Sequence, residues 1–329
     1  MSGLRISAFA CSHVKRHTLL TKAQINRFQN IRNFTVTNAV NMKYVQFFYN
    51  NKPNDVRAGY LVGDNVVDIN KSDSSIPSTV LGILKDGCLE KVNKLKSSNP
   101  TAEPKSSITL VAPITGMDKV MCIGLNYADH CKEQNLQEPK VPMIFSKFTS
   151  SVIGQNETVK LRTEFTTKVD WEVELVLVIA KKCTNIKAAD AYNYVFGYTI
   201  AQDLSSRDWQ KERNGGQFLL GKAQDGFCPL GPCIVTKDEI PDPQKLNIRC
   251  SLNGVQKQTS NTSNLIHKIP DVLERISSIM TLLPGDIILT GTPGGVGLYR
   301  QPPEFLKPGD VLNSEVDGIG AFETRFEKF

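Results

Sequence analysis

Two glutamates, Glu172 and Glu174, stand two residues apart at the start of a run that continues as LVLVIA. In an extended strand that spacing sends both side chains off one face of a sheet. The apolar stretch that follows reads as buried on both faces. Two carboxylates a few ångströms apart beside a buried strand repel one another and lose hydration unless a cation or a proton intervenes. A third acid, Asp203, ends the apolar run YVFGYTIAQ at 194–202. Three carboxylates form an all-oxygen donor set, which suits Mg²⁺, Mn²⁺ or Ca²⁺ rather than zinc and leaves coordination positions open for water and substrate. Each acid also has a plainer reading. A Glu-x-Glu pair can sit on an exposed strand end, and a strand-terminal Asp can cap the helix that follows.

Four histidines occur, and two of them, His13 and His17, lie in the N-terminal 42 residues. His130 sits where a strand expected to end at Ile123 meets a helix, with Glu133 three residues on. That spacing places both on one helix face, where a carboxylate can fix the imidazole tautomer and raise its basicity, as a general base near neutral pH requires. An ordinary surface helical pair is the alternative. His267 lies between Leu265 and Ile269 with no acid before Asp271 and reads as packing. The glycine-rich segment 291–297 lacks the Lys-Ser/Thr ending of a phosphate loop and is soon followed by Pro302 and Pro303, so it reads instead as backbone in close approach to a ligand.

The elements that must position these groups are mostly strands. From Lys43 the pattern is YVQFFY, a turn at 51–54, AGYLV, a turn at 63–65 and VVDI, a small antiparallel meander. Residues 78–97 carry apolar positions at helical spacing and lead into a polar stretch at 97–107. A larger unit starts near Pro113, with strands expected at 172–180, 194–202, 247–252, 286–289 and 311–316 and helices around 127–133, 188–192 and 269–279. No repeat and no alternating βαβ series is present, which disfavours a dinucleotide-binding architecture. The division expected is a leader at 1–42, a small N-terminal domain and linker at 43–112, and a catalytic metal-binding domain at 113–329, all mixed α/β and β-rich.

The formal charge of +6 over 329 residues is unevenly placed. Six basic residues precede Met42 and the first acid is Asp55, so beyond the leader 33 Lys and Arg face 33 Asp and Glu. A formally neutral body has no electrostatic footprint for nucleic acid. A leader rich in Arg, Lys, Ser and Thr, free of acids and without an apolar core run, resembles a mitochondrial transit peptide; a plain basic arm is the alternative. The eight cysteines form no C-x-x-C pair and read as reduced core thiols. No apolar run approaches the ~20 residues of a membrane span.

Several separate segments together resemble the fumarylacetoacetate hydrolase superfamily. They are GLNYADHCKE at 124–133, PMIFSKFTSSVIG at 142–154, VDWEVELVLVIAK at 169–181, GYTIAQDLSSRDWQ at 197–210, GKAQDGFCPLGP at 221–232 and LTGTPGGVG at 289–297, in the family's order. The meander, leader and length are similar to its mitochondrial domain-containing protein 2 group. The resemblance implies a β-roll or β-sandwich core with a small N-terminal β-meander and helix subdomain, usually a homodimer. It implies metal ligation by Glu172, Glu174 and Asp203, with Mg²⁺ expected, and an acid/base dyad of His130 and Glu133. Lys222 matches the lysine near the metal, Arg207 and Gln210 match site-lining residues, and Thr292 matches a substrate-side hydroxyl. The AQDG after Lys222 departs from the founding hydrolase, so that enzyme's specificity is not carried over. The implied activity is tautomerisation of oxaloacetate in the mitochondrial matrix. Hydrolysis of an acylpyruvate or fumarylacetoacetate-type substrate, decarboxylation of oxaloacetate, and an inactive binding homologue are the alternatives.

Overall fold

The computed structural model describes residues 42–329; the leader expected at 1–42 lies outside them but for Met42. At the centre is the strand Val173–Ile179, all seven residues of which are buried. Its antiparallel neighbours are Val195–Gln202 and Ile287–Leu289. Beyond them the same 12-stranded sheet runs through Val120–Gly124 to Met143–Lys147 on one side and through Cys228–Thr236 to Lys43–Tyr49 on the other. A second sheet of five strands holds Val255–Asn261, Asn247–Leu252, Val311–Val316, Gly320–Lys328 and Thr158–Leu161 in that order.

Alternation along the central strand assigns its two faces to two cores. Leu175, Leu177 and Ile179 pack with Trp171, Ile248 and Leu312, whereas Val176 and Val178 pack with Cys122, Phe196 and Leu289. Burial of each such aliphatic side chain stabilises the fold by about 1.5–3 kcal/mol. That burial offsets the cost of fixing acids at the head of the same strand. The pairing of Val173 with Gln202 brings Glu172 beside Asp203, whose backbone N–H donates to the Glu172 carbonyl at 2.8 Å. Two acids distant in sequence are thus joined by strand register. Ala201 stands opposite Glu174.

The meander appears as Lys43–Tyr49, Arg57–Val62 and Asn65–Asp68. Lys43 pairs with Val235, which makes the meander continuous with the main sheet. The helical pattern over 78–97 resolves into two helices, Val80–Lys85 and Leu89–Ser97. Gly87 breaks it at φ +65°, with Cys88 N–H bonded to the Ile83 carbonyl and Gly87 N–H to that of Leu84. This is the left-handed glycine stop of a helix C-terminus, which apolar spacing alone does not register. The helix expected around 188–192 is a 3₁₀ segment, Ala188–Tyr194, and Ile269–Ile279 is helical as expected.

Candidate active site

Glu172, Glu174 and Asp203 each offer an oxygen within 4.8 Å of the other two, and all three are buried. Lys222 Nζ donates to Glu172 Oε2 at 2.8 Å and to Asp203 Oδ2 at 2.7 Å. Lys147 Nζ donates to Asp203 Oδ1 at 2.6 Å and to the Leu204 carbonyl at 3.1 Å. Arg207 Nη1 reaches Glu172 Oε1 at 2.7 Å while its Nε donates to Asp170 Oδ2 at 2.8 Å. Four buried acids therefore face three buried cations, and the deficit falls on Glu174. Among the described residues its hydrogen-bond donor is the Gly291 N–H, at 2.6 Å. Burial, then the charges of Asp203 and Glu172, push the Glu174 carboxyl well above the ordinary range. Burial also raises Glu172, but Lys222 and Arg207 outweigh it and hold that carboxyl at about 2. An under-neutralised carboxylate beside two others, with oxygen donors only, fits a divalent oxygen-seeking cation.

Close backbone contacts set these side chains. Lys222 ends the short helix Leu219–Lys222, packed against the helix Arg207–Lys211. A Cβ on Gly221 would lie 2.5 Å from the Gln210 nitrogen, so only glycine permits the approach that brings Lys222 beside Arg207. Gly291, at φ +104°, turns its N–H onto Glu174, and a Cβ there would meet the Asn126 Cβ at 2.7 Å. The glycine-rich segment, expected from the sequence to approach a ligand, makes its close contacts here with Asn126 and with the protein's own backbone.

His130 and Glu133, the pair expected to handle protons, lie on the helix Ala128–Glu133. His130 Nδ1 is 3.0 Å from Glu133 Oε2, and the Gln134 side-chain nitrogen is 2.9 Å from His130 Nε2. A carboxylate at Nδ1 selects the Nδ1–H tautomer, so Nε2 carries the lone pair and accepts from Gln134. Glu133 Oε1 in turn accepts from the Gly295 N–H at 2.9 Å, tying this helix to the glycine-rich segment. Asp170 grips the same segment from the other side, accepting from the N–H groups of Gly297 at 2.6 Å and Leu298 at 2.9 Å.

A cavity of about 220 Å³ joins the two sets of groups, with Ile123, Phe145 and Phe218 in its apolar wall. Of the residues singled out from the sequence, His130, Glu172, Glu174, Arg207, Gln210, Lys222 and Thr292 line it. Asp203 and Glu133 stand behind, each bonded to a group that does. Among the described residues the buried Arg207 Nη2 has no partner, and Gln210 Oε1 accepts from Arg207 Nη1 at 3.0 Å. Thr292 donates its hydroxyl to the Val173 carbonyl at 3.0 Å and accepts from Gln258 at 2.8 Å, so toward a ligand it has acceptor capacity left. His267 lies outside this cavity, with its backbone bonded to Asn126.

Sequence reasoning passed over Lys147, Asp170 and Gln134. The signals were faint: a lysine closing the apolar strand Met143–Lys147, an acid just ahead of Trp171, and a glutamine four residues after His130. The last was accessible, because i and i+4 share a helix face as i and i+3 do.

Residues 119–327 match the family described as fumarylacetoacetate (FAA) hydrolase, C-terminal. The chain belongs to the fumarylacetoacetate hydrolase family. Among curated relatives of this family member, the mitochondrial oxaloacetate tautomerase fahd2 of Xenopus laevis is 47% identical over 294 residues, covering 88% of this chain and 92% of that one. The mitochondrial oxaloacetate tautomerase FAHD2A of Homo sapiens is 44% identical over 315 residues, covering 92% and 95%. Among solved structures, the fumarylacetoacetate hydrolase of Exiguobacterium antarcticum superposes with a TM-score of 0.78 at 31% identity, over 88% of this chain and all (100%) of the other. The maleylpyruvate hydrolase of Sphingobium sp. SYK-6, in complex with manganese(II) and pyruvate, gives 0.71 at 26% identity over 87% and 99%. The β-rich mixed α/β core expected from the sequence is the fold these structures share.

Proposed function

We propose that this chain is a mitochondrial, Mg²⁺-dependent oxaloacetate tautomerase that interconverts the enol and keto forms of a small 2-oxo dicarboxylic acid. The observation that carries the reading is a cavity of about 220 Å³ in which Glu172 and the under-neutralised Glu174, with Asp203 close behind them, share the lining with a carboxylate-backed imidazole. The two relatives named above as oxaloacetate tautomerases support the substrate.

Held by Glu172, Glu174 and Asp203, Mg²⁺ would polarise the 2-oxo group and stabilise negative charge on its oxygen. Burial pulls the Lys222 ammonium down, but Asp203 and Glu172 outweigh it and leave it above its ordinary value. Lys222 is therefore a fixed positive charge in the cavity and not a base. His130 Nε2 moves the proton at C3, and Glu133 stabilises the imidazolium that forms. Gln134 must release Nε2 for this. Tautomerisation moves one proton from the enol oxygen to C3, so a single base and a fixed cation suffice. The buried, unpartnered Arg207 Nη2 supplies a donor for a substrate oxygen.

All of these groups lie within 113–329, which we propose as the catalytic unit, with 43–112 as an accessory one. The leader supports delivery to the matrix. We also propose a homodimer, supported by the exposed Val141, Met143, Leu219 and Leu220, carried on or beside two elements that pack together. The test follows the ultraviolet absorbance of fresh enol-oxaloacetate with the purified chain and Mg²⁺, alongside assays for pyruvate. Faster loss of enol without pyruvate is expected. Pyruvate with carbon dioxide would make the enzyme a decarboxylase. No acceleration, with cleavage of acylpyruvates instead, would make it a hydrolase. Absence of divalent-ion binding by calorimetry would leave a binding homologue.

A further inference from the structure

Three cationic side chains line the cavity, and they are not equivalent. Lys222 is committed to Glu172 and Asp203, and Arg207 to Asp170 and Glu172. Lys211, at the end of the helix Arg207–Lys211, makes no ion pair with any described residue. Its Nζ donates to the Tyr299 hydroxyl at 2.6 Å and lies 5.0 Å from that ring's centroid. Tyr299 lines the same cavity and stands edge-on to His130, with ring centroids 6.2 Å apart. Because the ammonium donates to the phenol oxygen, the phenol O–H remains free to donate in turn. An ammonium with hydrogens to spare and a phenol O–H are thus presented together beside the base.

We propose that Lys211 with Tyr299 forms the subsite for the distal carboxylate of a 2-oxo dicarboxylic acid, and so sets the enzyme's preference for dicarboxylates. The inference rests on the tautomerase reading and deepens it. Charge balance favours it. The four buried acids and three buried cations of the centre leave one negative charge, which a bound dication turns into one positive charge. The substrate's first carboxylate cancels that. A second carboxylate entering between the half-buried Phe145 and Phe218 loses part of its hydration and is stabilised by a further cation, here the solvent-exposed Lys211 at the edge of the cavity. Among the lining residues Lys211 is the cation still without an acid.

The test uses the full chain with Mg²⁺ and the variants Lys211→Met, Lys211→Arg and Tyr299→Phe. Three quantities are read: kcat/KM for oxaloacetate tautomerisation, solvent deuterium incorporation at C3 of pyruvate, and the calorimetric Kd of oxalate, which lacks a distal carboxylate. Lys211→Met should lower kcat/KM for oxaloacetate about 10- to 100-fold, chiefly through KM, as expected for a lost charged hydrogen bond. Pyruvate exchange and oxalate binding should not change. Lys211→Arg should recover most of the loss, and Tyr299→Phe should show a smaller one. Equal losses for oxaloacetate and pyruvate, or none for either, would overturn the subsite. A wild type inert toward oxaloacetate would sink the tautomerase reading instead. The subsite would then stand or fall by calorimetry: the wild type must bind oxaloacetate more tightly than pyruvate, and Lys211→Met must abolish that preference.

Discussion

Replacing Glu174 by glutamine removes one charge from the carboxylate trio with almost no change of shape. In the metal-free protein the Glu174 carboxyl is raised well above 4.5, first by burial and then by Asp203 and Glu172. A carboxyl whose folded value is raised contributes stability that is fully present below the unfolded value and is lost as pH rises toward the folded one. Glu172, held at about 2, does not titrate in that window. A dication arriving above pH 5 therefore displaces one proton, and its apparent affinity should tighten about tenfold per pH unit, or about 1.4 kcal/mol, until Glu174 ionises unaided. Thermal unfolding with and without Mg²⁺ should show the same trend, the metal-induced rise in Tm growing by about 2–4 °C per pH unit. In Glu174→Gln the affinity should fall and its pH dependence should flatten. Calorimetric titration of Mg²⁺ at several pH values between 5 and 8 measures both. An equally steep pH dependence in Glu174→Gln, or undiminished affinity, would refute the assignment of the charge deficit to this residue.

His130→Ala and Glu133→Gln should each lower kcat, the former by about 10²- to 10⁴-fold, without weakening Mg²⁺ binding, as steady-state kinetics beside calorimetry would reveal. Lys147→Met leaves Asp203 short of a buried partner and should cost about 3–5 kcal/mol of stability, part of it regained with Mg²⁺; denaturant titration in both states reads this. Gly221→Ala forces a Cβ against the Gln210 backbone and should destabilise by about 1–3 kcal/mol while raising KM, because Lys222 and Arg207 are pushed apart. Sedimentation should find two copies per particle; a monomer retaining full activity would remove the dimer from the account.

The trio was legible because strand alternation fixes the face of Glu172 and Glu174, and an acid closing an apolar run is rare enough to notice. What joins Asp203 to them is the pairing of Val173 with Gln202, a tertiary register that no local pattern contains. The His130–Glu133 bond follows from helical spacing, and the structure realises it at 3.0 Å. Arg207, Gln210 and Lys222 entered through family resemblance, since their convergence depends on two short helices meeting at Gly221. Lys147 and Asp170 escaped notice because a single charge in a half-apolar segment reads as a solvated residue until its burial is known. The helical spacing over 78–97 is realised as two helices, because the apolar pattern runs unbroken through Gly87, which turns the chain.

On the function proposed above, tautomerisation depends on an ion held by Glu172, Glu174 and Asp203. The most direct measurement strips the purified chain with a chelator, follows decay of enol-oxaloacetate, and restores Mg²⁺ stepwise to wild type and Glu174→Gln together. Activity that vanishes on stripping, returns with Mg²⁺ in the wild type and stays absent in the variant is the predicted result. Full activity in the stripped enzyme, or equal recovery in both proteins, would contradict it.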